Sequence, residues 1–148
     1  MRPITKVIIH CSATPPSMDI GADTIRGWHV NGNKWADIGY HYVVRLDGKI
    51  EEGRGIDAVG AHTRGKNTSS IGLCYVGGVG EDKQPKDTRT PEQKKTLREL
   101  TSALAVLFPE VSFHGHNEFS AKACPSFDVK SEGYGKEGLS DRPECTCG

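Results

Sequence analysis

Residues 5–11 read TKVIIHC, a short β-branched run that stops at a histidine. A positive residue followed by an apolar stretch at the start of a chain raises the possibility of a signal peptide. Three apolar residues at 7–9 fall far short of the seven or more that an export segment needs. The run reads instead as a first β-strand at about 5–11, and His10 stands where it ends. Strand ends in open α/β sheets are where clefts form, so a histidine there is a candidate for chemistry.

Outward from this strand the pattern alternates. A polar loop over 12–21 leads to a short helix around 22–31, with Ile25 and Trp28 on one side and Gly27 costing about 1 kcal/mol relative to alanine. YHYVVRLDGKIEEG over 40–53 reads as a hairpin, with Asp47-Gly48 as a type I′ turn signal. SSIGLCYVGG over 69–78 reads as a buried strand ending in a glycine pair. Thr90, Pro91 and Gln93 form a capping-box pattern that starts a core-facing helix carrying Leu97, Leu100, Leu104 and Leu107, and Pro109 marks its stop. Residues 111–116 give one more strand. The expected fold is α/β, a central mixed β-sheet flanked by helices in a single domain.

A chain of 148 residues is long enough to bury roughly two-thirds of its unfolded surface in one core. Nineteen basic and nineteen acidic residues are spread along it, so no basic stripe favours nucleic acid. No apolar run approaches the length of a membrane span. Five cysteines (Cys11, Cys74, Cys124, Cys145, Cys147) at irregular spacing are not a disulfide framework, and fit a reducing compartment. Cys11 and Cys74 read as small buried hydrophobes. Beyond residue 130 the chain is glycine-rich and charged, which divides it into a domain at 1–130 and a loosely ordered tail at 131–148.

HGHNEFSAKACPSFD over 114–128 concentrates metal-ligating residue types. Imidazole nitrogen and thiolate sulfur suit zinc, and a catalytic zinc keeps three protein ligands and an open position. His114 and His116 are two apart on a strand, so alternation places both on one face and does not choose between them. Spacing alone leaves a three-ligand zinc site and a loop with a spare thiol both open.

Several segments taken together are more specific. IIHCSAT, IRGWH, GYHYVVRLDGKIEEGR, AVGAH, NTSSIGLCYVGG and HNEFSAKACPSFD occur in that order. From about residue 4 to 130 the chain resembles the type 2 N-acetylmuramoyl-L-alanine amidases, in the small phage-lysozyme branch related to peptidoglycan recognition proteins. The resemblance implies one zinc ion held by His10, His116 and Cys124, with His114 a bystander. It implies a catalytic tyrosine at Tyr40 and a catalytic lysine at Lys122. His62, Thr63 and Asn67 match a stretch that lines the family's substrate cleft. Asp128 and Glu118 are candidates to orient the metal-bound histidines. Gly55-Ile56 stands where recognition-protein relatives favouring diaminopimelate carry Gly-Trp.

The implied function is zinc-dependent hydrolysis of the amide between N-acetylmuramic acid and L-alanine in bacterial peptidoglycan. The alternative is a binding module of the same fold that recognises muropeptides without cutting them. Retention of Cys124 favours the enzyme. A third reading, a structural zinc, requires a fourth ligand; none is obvious in the sequence, with His114 and Cys11 as the candidates. The expected protein is a monomer, made in the cytoplasm without an export segment. It would act on the wall as a phage or prophage lysin, released through a separately encoded pore.

Overall fold

The computed structural model describes residues 2–135. Five strands, β1 (Lys6–Cys11), β2 (Tyr42–Val44), β3 (Ile50–Glu52), β4 (Ser70–Tyr75) and β5 (Ser112–Gly115), form one sheet in the order β3-β2-β4-β1-β5. β1 pairs in parallel with both β4 and β5, β2 pairs in parallel with β4, and only β3 is antiparallel. The sheet is mixed, as the sequence leads one to expect. Three helices accompany it: α1 (Ala22–Gly27), α2 (Pro91–Leu107) and α3 (Val129–Glu132).

Alternation along β1 and β4 sorts their side chains to two faces. Val7, Ile9, Cys11, Ile71, Leu73 and Tyr75 join Leu97 and Leu104 of α2, Val129 of α3, Phe113 and Tyr134 in the larger core. On the opposite face Val43, Cys74 and Val76 pack with Ala22 and Ile25 of α1 and with Ile38. β1 is covered on both sides, which is why its apolar run is continuous rather than alternating. His10 lies on the α1 side, opposite Cys74 in the register.

The predicted capping box is present: Thr90 Oγ1 accepts from the Gln93 amide and Gln93 Oε1 accepts from the Thr90 amide. Gln93 is itself buried, and its Nε2 donates to the carbonyls of Val44 and Val76, tying α2 to the ends of β2 and β4. Leu107 departs from expectation. It belongs to the leucine repeat, yet it is 67% exposed, because the buried face of the helix runs through Leu97, Thr101 and Leu104 to Phe108, and Leu107 lies to one side of it.

Three other expectations shift. The first helix is α-helical only to Gly27; residues Trp28–Gly32 continue as a π-helical turn, and Trp28 is exposed where the winding changes. The hairpin turn is not type I′, since only Gly48 has positive φ (87°). The Gly48 amide donates to the Arg45 carbonyl and the Arg45 amide to Lys49, a three-residue loop closed by a left-handed glycine. The packed domain also continues past residue 130. Val129 and Tyr134 are buried, and Arg89 Nη1 donates to the Tyr134 hydroxyl at 2.9 Å while its guanidinium lies over the Phe127 ring. Two apolar residues in VKSEGYG are too few to signal this from sequence. Cys145 and Cys147 lie outside the described residues.

Candidate active site

β1 and β5 run parallel, so their carboxyl ends open on the same edge of the sheet. His10 is the penultimate residue of β1. His116 follows the last residue of β5 and opens a single 3₁₀ turn, His116–Glu118. The strand therefore ends before His116, and the two histidines of HGH do not share the face that alternation over 111–116 would give them. His114 stays on the strand, its Nδ1 2.8 Å from Glu118 Oε1 and its Nε2 2.7 Å from Ser112 Oγ. His116 is left free to turn toward His10, with ring centroids 4.6 Å apart.

Cys124 arrives from the loop that follows. Its Cys124-Pro125 bond is cis, and hydrogen bonds from the Tyr75 hydroxyl to the Pro125 carbonyl (2.7 Å) and from Ser126 Oγ to the Gly78 carbonyl (2.7 Å) hold that loop against the end of β4 and the turn after it. Among the described residues, His10, His116 and Cys124 form the one group whose ligand atoms all lie within 4.8 Å of one another. His10 Nδ1 is 3.8 Å from Cys124 Sγ. Two ligand atoms at zinc bond lengths and a tetrahedral angle stand about 3.3–3.6 Å apart for nitrogen–nitrogen and nitrogen–sulfur pairs. Two imidazoles and a thiol at this spacing fit a metal ion, and among the described residues no fourth side chain joins them.

Electrostatics suit that use. Burial pulls the His10 pKa well below its ordinary value, and His62, His116 and Lys122 pull in the same direction. The His116 pKa is lowered by burial and by Lys122. Both rings are thus neutral and ready to donate a lone pair at neutral pH. The Cys124 thiol is pushed up by its hydrogen bond with the Cys11 thiol and by burial. A nearby dication reverses such an effect by deprotonating the thiol outright. The Cys11 amide donates to Cys124 Sγ at 3.2 Å, a contact that favours the thiolate.

Lys122 is exposed, two residues before Cys124, and its ammonium is close enough to act on both His10 and His116. Tyr40 immediately precedes His41 at the entry to β2, its ring 5.0 Å from that of His10. Burial, then the thiols of Cys74, Cys124 and Cys11, raise the Tyr40 pKa well above the ordinary phenol range, so the hydroxyl keeps its proton. His29 Nδ1 accepts from the Gly39 amide at 2.9 Å, and its ring packs between Trp35 and Tyr40, bracing the tyrosine.

The loop over 62–67 stands on the other side of His10. Asn67 Oδ1 accepts from the amides of both His62 and Thr63 at 2.9 Å and holds the loop's shape. His62 and Thr63 are buried and turned inward. His62 Nδ1 lies 2.9 Å from His10 Nε2 and 3.0 Å from Thr63 Oγ1; Thr63 Oγ1 is 3.2 Å from His10 Nε2. Burial first, then His41, His116, Arg2 and Arg54, lower the His62 pKa to about 3. Glu118 and Asp128, candidates to orient the ligand histidines, do something else. Glu118 binds His114 and the Gly115 amide, and Asp128 caps α3 through the Lys130 amide. The partner of His10 was missed in the sequence, where the only trace is the pair of glycines, Gly60 and Gly72, that leave room for the His62 ring.

A three-ligand cluster at the carboxyl edge of a mixed sheet, flanked by a lysine and a tyrosine, is a layout suited to a metallohydrolase. Residues 1–127 match the N-acetylmuramoyl-L-alanine amidase family, and the chain belongs to it. It is 43% identical over 126 residues to the endolysin of Klebsiella phage KP32, covering 85% of this chain and 83% of that one. It is 44% identical over 125 residues to the endolysin of Escherichia phage T7, covering 84% and 82%. The solved endolysin of Thermus scotoductus bacteriophage Ph2119 shares 26% identity with a TM-score of 0.75, covering 93% of this chain and 86% of that chain. The activity is hydrolysis of the N-acetylmuramoyl-L-alanine amide of peptidoglycan. Among the described residues no helix is long and apolar enough to cross a membrane.

Proposed function

We propose that the protein is a zinc amidase acting as a phage or prophage lysin, with His10, His116 and Cys124 holding one ion. The observation that carries this reading is the convergence of those three ligand atoms, from segments more than a hundred residues apart, beside the Lys122 cation. Zinc in such a site supplies Lewis acidity, polarising a carbonyl and acidifying water. The protein's own groups do the rest. The neutral His10 and His116 and the Cys124 sulfur leave one side of the cluster open for substrate.

Lys122 places a positive charge where the amide carbonyl oxygen becomes negative as its carbon turns tetrahedral. Tyr40, kept protonated, donates a hydrogen bond to the same oxygen and does not serve as a base. The 62–67 loop forms a wall of the cleft. Asn67, whose amide nitrogen has no protein partner among the described residues, is the side chain of that loop placed to meet the muropeptide. The likeness to phage endolysins supports action on the bacterial wall after release.

Purified sacculi incubated with the protein should release peptides with free N-terminal L-alanine and leave intact glycan strands bearing free lactyl groups. A zinc chelator should stop the reaction, and added zinc should restore it. Cleavage of the glycan, or hydrolysis that persists in chelator, would refute the proposal.

A further inference from the structure

The carboxyl-end face of the sheet buries a polar group that the reaction itself does not account for. His62 is 9% exposed, sits on neither helix nor strand, and has both ring nitrogens in hydrogen bonds. Nδ1 meets His10 Nε2 at 2.9 Å and Nε2 meets Ser70 Oγ at 3.2 Å. The fold is shaped around this ring. A Cβ on Gly72 would stand 2.6 Å from His62 Cγ and Cδ2, and one on Gly60 2.8 Å from Cδ2. Gly72 and Ser70 lie on the same face of β4, so one strand supplies both the space for the ring and its far hydrogen bond.

We infer that His62 is a positioning residue: it accepts the Nε2 proton of His10 and so presents the His10 Nδ1 lone pair to the metal. This rests on the zinc reading of the His10, His116 and Cys124 cluster. Two nitrogens facing each other at 2.9 Å must be one donor and one acceptor. Cys124 Sγ is on the Nδ1 side of His10, so a shared metal takes Nδ1, and the proton belongs on Nε2. His62 Nδ1 is then the acceptor, which puts the His62 proton on Nε2, where Ser70 Oγ receives it. Thr63 Oγ1, 3.2 Å from His10 Nε2, accepts from the same proton. Metal-bound histidines usually pass this proton to a carboxylate or a carbonyl. A neutral imidazole fixes the same tautomer without placing a negative charge behind the ligand, which leaves the bound ion more electrophilic.

Zinc affinity, measured by competition with a chromogenic chelator, separates this role from simple packing. His62→Ala should weaken zinc roughly 10–100-fold, the usual effect of losing such a partner. His62→Asn, whose Oδ1 stands where Nδ1 stood, should recover much of that loss. Nitrogen NMR of the metal-free wild type should show His10 protonated on Nε2, and His62→Ala should mix the two tautomers. Zinc affinity within twofold of wild type in His62→Ala, or His10 protonated on Nδ1 in the wild type, would overturn the inference. The wild-type spectrum decides the matter even if the alanine variant does not fold. If the wild type binds zinc no better than Cys124→Ser, the metal reading fails and this inference with it. If it binds zinc and His62→Ala binds equally well, only this inference falls.

Discussion

The two faces of the sheet are built on different principles. Under α2 and α3 the side chains of β1 and β4 are apolar apart from the Tyr75 hydroxyl and the Cys11 thiol, and packing holds them. Toward α1 the same strands and their loops bury three histidines, His10, His41 and His62, and each has hydrogen-bond partners. The first face is tolerant, since hydrophobic residues of about the right size satisfy it. The second is not, because a buried ring nitrogen left unpaired costs the full desolvation of that group. Apolar packing fills the first face, while the second combines a smaller apolar cluster with the candidate site.

That division can be attacked from either side. The largest effect belongs to Cys124→Ser, which should abolish amidase activity and weaken zinc by more than the roughly 10–100-fold expected for a residue behind a ligand. Its urea midpoint in the metal-free form should stay close to that of the wild type. Lys122→Ala comes next. A loss of roughly 10²–10³ in kcat, the usual scale for a lost oxyanion partner, should leave zinc affinity in place. Activity assays on sacculi and chelator titration read these two apart.

On the packed side, Leu97→Ala should cost about 2–5 kcal/mol of stability by chemical denaturation, while Leu107→Ala stays within about 0.5 kcal/mol. Equal effects would mean that the leucine repeat, not burial, governs α2. Acid tests the polar side. The pKa of His62 falls from its ordinary value to about 3 on folding, and those of His10 and His41 are also lowered. The unfolded chain then binds more protons than the folded one below about pH 6.5. Stability is fully present above that pH and is lost as pH falls toward 3, by about 1.4 kcal/mol per unit for His62 alone. Denaturation of the metal-free protein between pH 7 and 4 measures the slope, and a flat profile would mean that these rings are not buried neutral. The smallest effect is expected of His114→Ala, which should spare both zinc affinity and activity.

What could be read in the sequence follows the same division. β1, β4 and α2 announce themselves because periodicity, capping residues and β-branched runs are local signals. Leu107 misleads because spacings of three and four fit more than one stripe of a helix, and the buried one runs through Thr101 and Leu104 to Phe108. The candidate ligand set is legible only through the motif resemblance, since no spacing joins His10 to His116 and Cys124 across more than a hundred residues. His62 shows the limit most clearly. Its neighbours in the chain mark a polar turn, while its bond to His10 depends on strand pairing that brings Gly72 and Ser70 beneath the ring. Asp128 and Glu118, the carboxylates nearest the ligands in sequence, are occupied by local hydrogen bonds instead.

X-ray diffraction recorded at the zinc absorption edge, from crystals grown with zinc, tests the central claim most directly. One anomalous peak is expected, with His10 Nδ1, His116 and Cys124 Sγ as its only protein ligands and an open fourth position. A peak at other side chains, a fourth protein ligand closing the shell, or no peak at this cluster would contradict the account.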